Sequence, residues 1–406
     1  MGQAPRLAPN WSRVATTWLP FADAASEGLP LLRLMRLSLF QVSVGMTMVL
    51  LNGTLNRVMI VELGTPAWLV AVLIALPLLF APFRALIGHR SDTHRSVLGW
   101  RRVPYIWFGT LMQFGGLAIM PFALLLLGRE GDFTVGLLAS GLAFLLAGAG
   151  LHTTQTAGLA LATDLAPEDK RPRAVALLYV MLLAGMMLAA LVIGSLLADF
   201  FPTRLVQVIQ GAAVLALLLN LTALWKQEAR HAEVISADTP RPPFAEVWQS
   251  FTGEPDTRRL LTGIGLGAAA FAMQDALLEP YGGEVLGLSV GATTGLTGVW
   301  ALGTLIGFAL TARHLDHGHD PLRLAGFGVA IGGAAFMLVI FAAPLAQPAL
   351  LALGAMAIGF GGGLFAVGTL VCAMSLARDG TSGIALGAWG AVQATAAGLA
   401  IAFGGI

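Results

Sequence analysis

Long apolar stretches alternate with short polar connections along the whole chain, and this alternation predicts its class. A helix needs about 20 apolar residues to cross the hydrocarbon core of a bilayer. Eleven stretches reach or approach that length, which predicts an all-α polytopic membrane protein with about 11 helices. The stretches are Leu37–Val61, Ala67–Ile87, Val103–Leu127, Phe133–Leu161, Ala174–Leu197, Thr203–Trp225, Leu260–Leu278, Val290–Ala312, Leu324–Phe341, Ala349–Leu376 and Ile384–Ile406.

Composition supports the membrane class and leaves little room for others. Of 406 residues, 57% are hydrophobic and 11% are charged, whereas a soluble domain carries about 25% charged residues. The net charge of +1 gives no indication of nucleic acid, and the single cysteine, Cys372, excludes a disulfide framework. No nucleophile–base motif, phosphate-binding loop or Cys/His metal spacing is present. We therefore expect no catalytic residues and no metal site, and an enzyme is the least favoured class.

Positive charges indicate how the chain is oriented. Lysine and arginine concentrate before the first stretch and in the connections after stretches two, four, six, eight and ten. The opposite connections carry little beyond Arg129 and Arg204. By the positive-inside rule, the N-terminus is cytoplasmic. Because the polar N-terminus lacks the apolar core of a cleavable signal peptide, we expect none.

The longest polar connection divides the chain into two similar parts. Ala85 and Leu86 followed by Asp92 after the second stretch match Ala309 and Leu310 followed by Asp316 after the eighth. Parallel six-helix halves are typical of the major facilitator superfamily, so a twelfth helix is predicted beyond Ile406. The predicted organisation is a cytoplasmic arm (1–36), an N-terminal six-helix half (37–225), a cytoplasmic central loop (226–258) and an incomplete C-terminal half (259–406).

A motif after the second stretch resembles the loop between helices two and three of the facilitator superfamily. It consists of Gly88–Asp92 followed by Gly99–Arg102, with a longer gap between them than in the superfamily pattern. There an aspartate can bridge a helix end while arginines hold ion pairs. We expect it to ion-pair with the charged turn after the fourth stretch, as a cytoplasmic latch. The predicted members of the latch are Asp92, Arg95, Arg101, Arg102, Asp164 and Arg173.

The fourth stretch carries a histidine at mid-membrane depth. His152 precedes Asp164 by twelve residues, which places it about 18 Å into the helix. Gln155 and Thr156 share its helix face. A neutral imidazole there could be an axial ligand to the magnesium of a chlorin, a proton relay, or a helix–helix hydrogen-bonding group. The further candidates for pigment binding are Gln155 and, one turn apart in the first stretch, Asn52 and Asn56.

Two carboxylates interrupt the end of the seventh stretch. Asp275 and Glu279 are four residues apart, so they share a helix face and repel each other unless shielded or protonated. Counting from Arg259 places them about 24 and 30 Å along the helix, near its external end. Pro280 is expected to end the helix there, forming an external lip. We interpret Gln274, Asp275, Glu279 and Tyr281 as a gate or docking element.

Six longer motifs identify a family resemblance. They are similar to the PucC/LhaA family of light-harvesting complex assembly proteins in purple phototrophic bacteria, the BCD branch of the major facilitator superfamily. The similarity extends from about Phe21 to the end of the chain. The motifs are Leu37–Met46, Gly53–Leu63, Phe83–Gly88 with Arg90–Arg95, Gln155–Ala162, Asp275–Gly283 and Ser382–Gly390.

This resemblance implies an assembly factor for the light-harvesting antenna, LH1 or LH2, in the bacterial inner or intracytoplasmic photosynthetic membrane. The implied ligand is bacteriochlorophyll, with carotenoid or lipid as further candidates. The implied partners are the light-harvesting α and β polypeptides, the reaction centre–LH1 complex, pigment-synthesis enzymes, the membrane insertion machinery and membrane lipid, with no nucleic acid. The alternative is a facilitator-type transporter of a pigment, a pigment precursor or another small solute.

Overall fold

A computed structural model describes residues 29–81, 83, 84, 87, 91, 100–128, 132–167, 170–228, 249, 252–375 and 382–404, and every regular element in these ranges is helical. Eleven helices correspond to the predicted stretches. They are α1 (Leu31–Glu62), α2 (Ala67–Ala75, continued by a 3-10 turn at Leu76–Phe80), α3 (Val103–Leu127), α4 (Phe133–Leu165), α5 (Arg171–Leu196), α6 (Pro202–Leu224), α7 (Pro255–Glu284), α8 (Val290–Asp316), α9 (Pro321–Ala342), α10 (Pro348–Ser375) and α11 (Ser382–Gly404).

The helix lengths confirm a multi-pass membrane protein. Within the described part, nine helices are long and apolar enough to cross a bilayer, while the apolar portions of α2 and α11 are shorter. Large apolar side chains such as Phe108, Leu138 and Phe327 are more than half exposed. A soluble protein would bury such side chains, whereas lipid-facing helices present them outward.

The first helix is longer and less regular than its sequence pattern predicts. It begins at Leu31, six residues before the expected start, and two segments within it, Val49–Thr54 and Val58–Glu62, are π-helical. A π-helical turn carries an extra residue in the i→i+5 hydrogen-bond pattern and occurs frequently at functional sites. No apolar periodicity distinguishes such a turn from an α-helical one, so the sequence carried no signal for it.

The seventh helix corrects the prediction for Pro280. This proline does not end α7, which continues to Glu284. Proline removes one backbone donor, but the following turn keeps its bonds, with the amide of Val285 donating to the carbonyl of Tyr281 at 3.0 Å. Leu278 and Tyr281 pack in an apolar cluster with side chains of α8 and α10. This tertiary packing holds the helix together beyond the proline.

The helices form two packed groups that meet along the middle of the molecule. In α1–α6, α3 packs on α4 and α6, and α1 packs on α5. In α7–α11, α10 packs on α8 and α9, and α7 packs on α11. The groups join where α1, α2 and α5 contact α7, α11 and α8, respectively. These two groups form the facilitator-type bundle that was predicted. The cleft between them contains part of the candidate site.

Glycines bring helix backbones into contact within each group. A methyl group added to Gly116 of α3 would overlap the backbone amide of Ala147 in α4 and lie 2.8 Å from the carbonyl of Ala143. In the other group, Gly359 of α10 lies against the carbonyl of Trp300 in α8. Small residues allow this approach between membrane helices, where van der Waals packing drives association. Gly359 therefore serves close packing of α10 on α8.

Candidate functional site

The predicted site residues fall into separate places. One group lies in the cleft between the two helix groups, a second lies between α4 and α1, and a third lies at the end of the bundle where α1 begins. We call this last region the basic end, because it carries Arg33, Arg36, Arg101, Arg102 and Lys226. The positive-inside rule predicts that it faces the cytoplasm. The other end of the bundle is called the opposite end.

The cleft contains a small cavity that both polar and apolar side chains line. Its volume is about 50 Å³, and residues of α1, α5, α7 and α8 line it. Asn52, Gln274 and Glu279, which the sequence analysis assigned to two different roles, all face this cavity. A water molecule occupies about 30 Å³ in the liquid, so the cavity suits one or two waters. A chlorin ring is far too large for it in this conformation.

Glu279 is buried inside the protein, which corrects the expectation of an external lip. The residue is only 3% exposed, and its carboxylate accepts a hydrogen bond from the Thr297 hydroxyl of α8. On the other side it approaches the backbone of α1 at Gly53, where an added methyl group would overlap the carboxylate oxygen. Burial of a carboxylate is costly unless hydrogen bonds compensate it. Gly53 in the first π-helical segment thus makes room for this carboxylate.

The other members of the predicted gate have different surroundings. Gln274 is buried in the cleft, whereas the hydroxyl of Tyr281 accepts a hydrogen bond from the amide of Ala343, 3.3 Å away at the end of α9. Asp275 lies in α7, one turn before Glu279, and its side chain lies outside the described part. Of the four, Gln274 and Glu279 share the cavity, and Tyr281 connects α7 to α9. The gate role stays a prediction.

A set of contacts near the opposite end holds the two helix groups together. Arg57 of α1 is buried, forms an ion pair with Glu62, and donates to the carbonyl of Leu288, 3.2 Å away in the α7–α8 connection. The hydroxyls of Thr54 and Thr294 are 3.2 Å apart across the same boundary. We call these five residues the clasp. The ion pair lies within α1, so the contacts between the two groups are the Arg57–Leu288 hydrogen bond and the pair of threonine hydroxyls.

A polar cluster between α4 and α1 surrounds His152. The Arg84 guanidinium donates to the side-chain oxygens of Gln155 at 2.9 Å and Thr156 at 3.1 Å, and the Gln155 amide donates to Gln41 at 3.3 Å. His152 is 7% exposed, and its Nδ1 makes no hydrogen bond to a described residue. Arg84 was not singled out from the sequence, although an arginine inside an apolar stretch is a signal for function.

The four candidates for pigment binding do not form one site. His152 and Gln155 belong to the cluster around Arg84, whereas Asn52 lines the central cavity. Asn56 lies one turn beyond Asn52 and is buried. Helix α1 contributes to both places through Gln41 and Asn52. Any pigment contact with His152 is therefore separate from the cavity.

The structure brings part of the predicted latch together. Arg102 is buried and donates to Asp164 at 3.1 Å, and Arg101 lies 3.4 Å from the same carboxylate. Glu228 was missed from the sequence. Its carboxylate accepts hydrogen bonds from the backbone amides of Arg101 at 2.8 Å and Val103 at 2.9 Å, at the N-terminus of α3, where the helix dipole favours negative charge.

The remaining latch residues lie wholly or partly outside the described part of the chain. Asp92 and Arg95 lie outside the described residues, and Arg173 lies in α5 with its side chain outside the described part. The pairs of Arg101 and Arg102 with Asp164 join the segment before α3 to the end of α4. Both of these segments belong to the same helix group. A role for the latch in conformational change stays a prediction.

Comparison with solved structures shows the class of protein. A bacterial homologue of the human lysosomal transporter Spinster, in an inward-facing and unoccupied conformation, superimposes with a TM-score of 0.65 at 18% identity, covering 91% of this chain and 81% of that one. The inward-open xylose transporter XylE from E. coli gives 0.65 at 13% identity, covering 92% and 89%. The chain is thus a multi-pass membrane protein with the major facilitator fold.

Sequence comparison shows the family. The family model described as PUCC protein matches residues 54–406. Protein PucC of Rhodovulum sulfidophilum is 55% identical over 100% of this chain and 91% of its own length, and Protein PucC of Cereibacter sphaeroides is 52% identical over 99% and 88%. A Rhodobacter capsulatus protein named bacteriochlorophyll synthase 44.5 kDa chain is 31% identical over 92% and 86%. The chain belongs to the PUCC family, which confirms the resemblance.

Proposed function

We propose that this chain is a non-enzymatic assembly factor for the bacterial light-harvesting antenna, LH1 or LH2. It binds or delivers bacteriochlorophyll and chaperones the α and β antenna polypeptides in the photosynthetic membrane, with its N-terminus in the cytoplasm. Membership of the PUCC family supports this proposal, together with the similarity to a protein named for bacteriochlorophyll synthesis. Further proposed partners are the reaction centre–LH1 complex, pigment-synthesis enzymes and the membrane insertion machinery.

The arrangement of His152 is the observation that carries the pigment part of the proposal. A neutral imidazole nitrogen is a good metal ligand, and Nδ1 of His152 has no hydrogen-bond partner among the described residues. Arg84 donates to Gln155 and Thr156 on the same helix face, so it holds the neighbouring side chains in place. The donor chemistry therefore fits the magnesium of a chlorin. Because His152 is 7% exposed, the ring must reach it through separation of the surrounding helices.

Replacement of His152 by leucine tests this proposal. We expect His152→Leu to lower the ratio of bound bacteriochlorophyll to purified protein about tenfold or more, since altering even the outer shell of a metal ligand costs about 10–100-fold in affinity. The measurement is the absorption spectrum of protein purified from a pigment-producing host. His317→Leu, an exposed residue directly after α8, is the control and should retain pigment. Equal pigment in both variants would contradict the role of His152, and normal antenna assembly by pigment-free protein would contradict pigment delivery.

A transporter is the second candidate function, and the central cavity favours it. Glu279 is a buried carboxylate between the two helix groups, and the structural relatives named above are transporters. This function requires proton-dependent flux of a pigment precursor or other small solute in proteoliposomes. Flux should be lost in Glu279→Gln and kept in Glu284→Gln, which alters an exposed carboxylate of the same helix. Absence of flux in the unmodified protein would eliminate this candidate.

A further inference from the structure

Arg84 places a positive charge inside an apolar span, in the polar cluster between α4 and α1. Its hydrogen-bond acceptors, the side chains of Gln155 and Thr156, are both neutral. Thr156 precedes Asp164, near the end of α4, by eight residues, which places this contact about 12 Å from the basic end of that helix. No ion pair joins Arg84 to a described residue. Within the described part of the chain, the cluster therefore contains a positive charge without an acidic partner.

Two other side chains of the cluster have polar atoms that no described residue satisfies. Gln41 is fully buried, and its amide nitrogen makes no hydrogen bond, although its oxygen accepts one from Gln155 at 3.3 Å. Nδ1 of His152 makes none either. Buried polar groups are nearly always hydrogen-bonded, so such atoms near an arginine indicate that a polar ligand group completes the cluster. A carboxylate fits best, since it accepts hydrogen bonds from both an amide and a guanidinium.

The surroundings of Arg84 indicate what the carboxylate is attached to. Directly before it, Phe83 is 53% exposed, and its ring lies 5.7 Å from the ring of Phe80. His152 lies one turn before Thr156 on α4, so an imidazole shares the helix face that Arg84 contacts. Aromatic side chains pack on flat rings, and a neutral imidazole suits a metal ion. A chlorin with a carboxylate at its edge would use all of these features.

We propose that Arg84 and Gln41 bind the carboxylate of a chlorin whose propionate side chain is not esterified. The proposal rests on the pigment-handling function proposed above and narrows the ligand to one class, the free acid in preference to the ester. Arg84 supplies the charge and Gln41 a further donor, while His152 remains the candidate ligand for the magnesium. A charged group inside a membrane span is expected to pair with an opposite charge. An esterified chlorin offers none and leaves the guanidinium with neutral partners.

Binding of two metal-free chlorins to the purified full-length chain tests this proposal. Pheophorbide a carries the free propionate, its methyl ester differs at that one group, and neither contains magnesium for His152. Because a hydrogen bond to a charged group corresponds to about 10- to 100-fold in affinity, we expect the acid to bind more tightly by that factor. Arg84→Gln should abolish the preference, and the control Arg313→Gln, which changes an exposed arginine of α8, should keep it. Fluorescence anisotropy of the chlorin gives both dissociation constants.

Equal affinity for acid and ester in the unmodified protein would overturn the proposal, whether or not Arg84→Gln folds. A preference that survived in a folded Arg84→Gln variant, verified by thermal melting, would place the carboxylate elsewhere and overturn it too. Oleate serves as a competitor. If it displaced pheophorbide a at comparable concentration, the ring would contribute nothing and the chlorin assignment would be wrong. The pigment-handling function fails by a different result, equal bacteriochlorophyll content in His152→Leu and His317→Leu.

Discussion

Gly116→Ala is expected to lower the stability of the protein by about 3 kcal/mol, whereas Gly115→Ala should leave it unchanged or raise it by up to about 1 kcal/mol. The two glycines are neighbours in α3, but only Gly116 faces α4. An added methyl group at Gly116 would overlap the backbone amide of Ala147, while at Gly115 it would meet nothing within 4 Å. Overpacking costs about 1–3 kcal/mol and more where a backbone must move, and alanine is the better helix former by about 1 kcal/mol.

The two alanine variants are matched controls for each other. Both make the same chemical change in the same helix, so differences in helix propensity cancel. The measurement is the free energy of unfolding in mixed micelles, supported by the midpoint of thermal aggregation in detergent. Equal stability of the two variants would show that α3 and α4 are not packed in this register.

Glu62→Gln is expected to destabilise the protein by about 2 kcal/mol, because it leaves the buried Arg57 guanidinium without its counter-charge. Breaking a fully buried ion pair by removing one partner costs about 3–5 kcal/mol. Glu62 is 29% exposed, so water compensates part of this loss. Arg57 also donates to the carbonyl of Leu288 in the other helix group. The loss should therefore appear as weaker association of the two groups at the opposite end.

A double-mutant cycle separates the charge effect from simple loss of contacts. Arg57→Met/Glu62→Gln removes both charges and should be less destabilised than Glu62→Gln alone, since no buried charge is left uncompensated. Glu284→Gln, which changes an exposed carboxylate, should stay within about 0.5 kcal/mol of the unmodified protein. Unfolding free energies in mixed micelles provide the measurement. A double variant less stable than Glu62→Gln would mean that Arg57 acts through packing and not through its charge.

Much of the helical framework follows from apolar length alone. The predicted span Val103–Leu127 coincides with α3, and the span Val290–Ala312 lies within α8. The predicted spans agree with the observed helices because a helix that crosses the bilayer needs a fixed apolar length. Pro280 shows the limit of such reasoning. Because proline disrupts helices, the sequence predicted that α7 ends at Pro280. The packing of Leu278 and Tyr281 against other helices instead stabilises α7 for one more turn.

The candidate site was less predictable because its partners are distant in sequence. Glu279 lies near the predicted end of the membrane span, yet its burial depends on Thr297 and on a glycine in α1. Glu228 caps α3 from more than 120 residues away. Composition and spacing identify which polar residues are unusual. They cannot show which of them meet, since that depends on how the two helix groups associate.

Helix α1 passes through three of the places described above: the polar cluster at Gln41, the central cavity at Asn52 and the clasp at Arg57. A displacement of α1 would therefore change the geometry at all of these places. Suppose that α1 can adopt two placements and that a ligand binds more tightly to one of them. That ligand then changes the affinity of every other site whose geometry depends on the placement of α1. Thermodynamic linkage makes each such effect reciprocal and equal in size. A shift of α1 at the polar cluster is thus transmitted to the central cavity and to the clasp through a single helix.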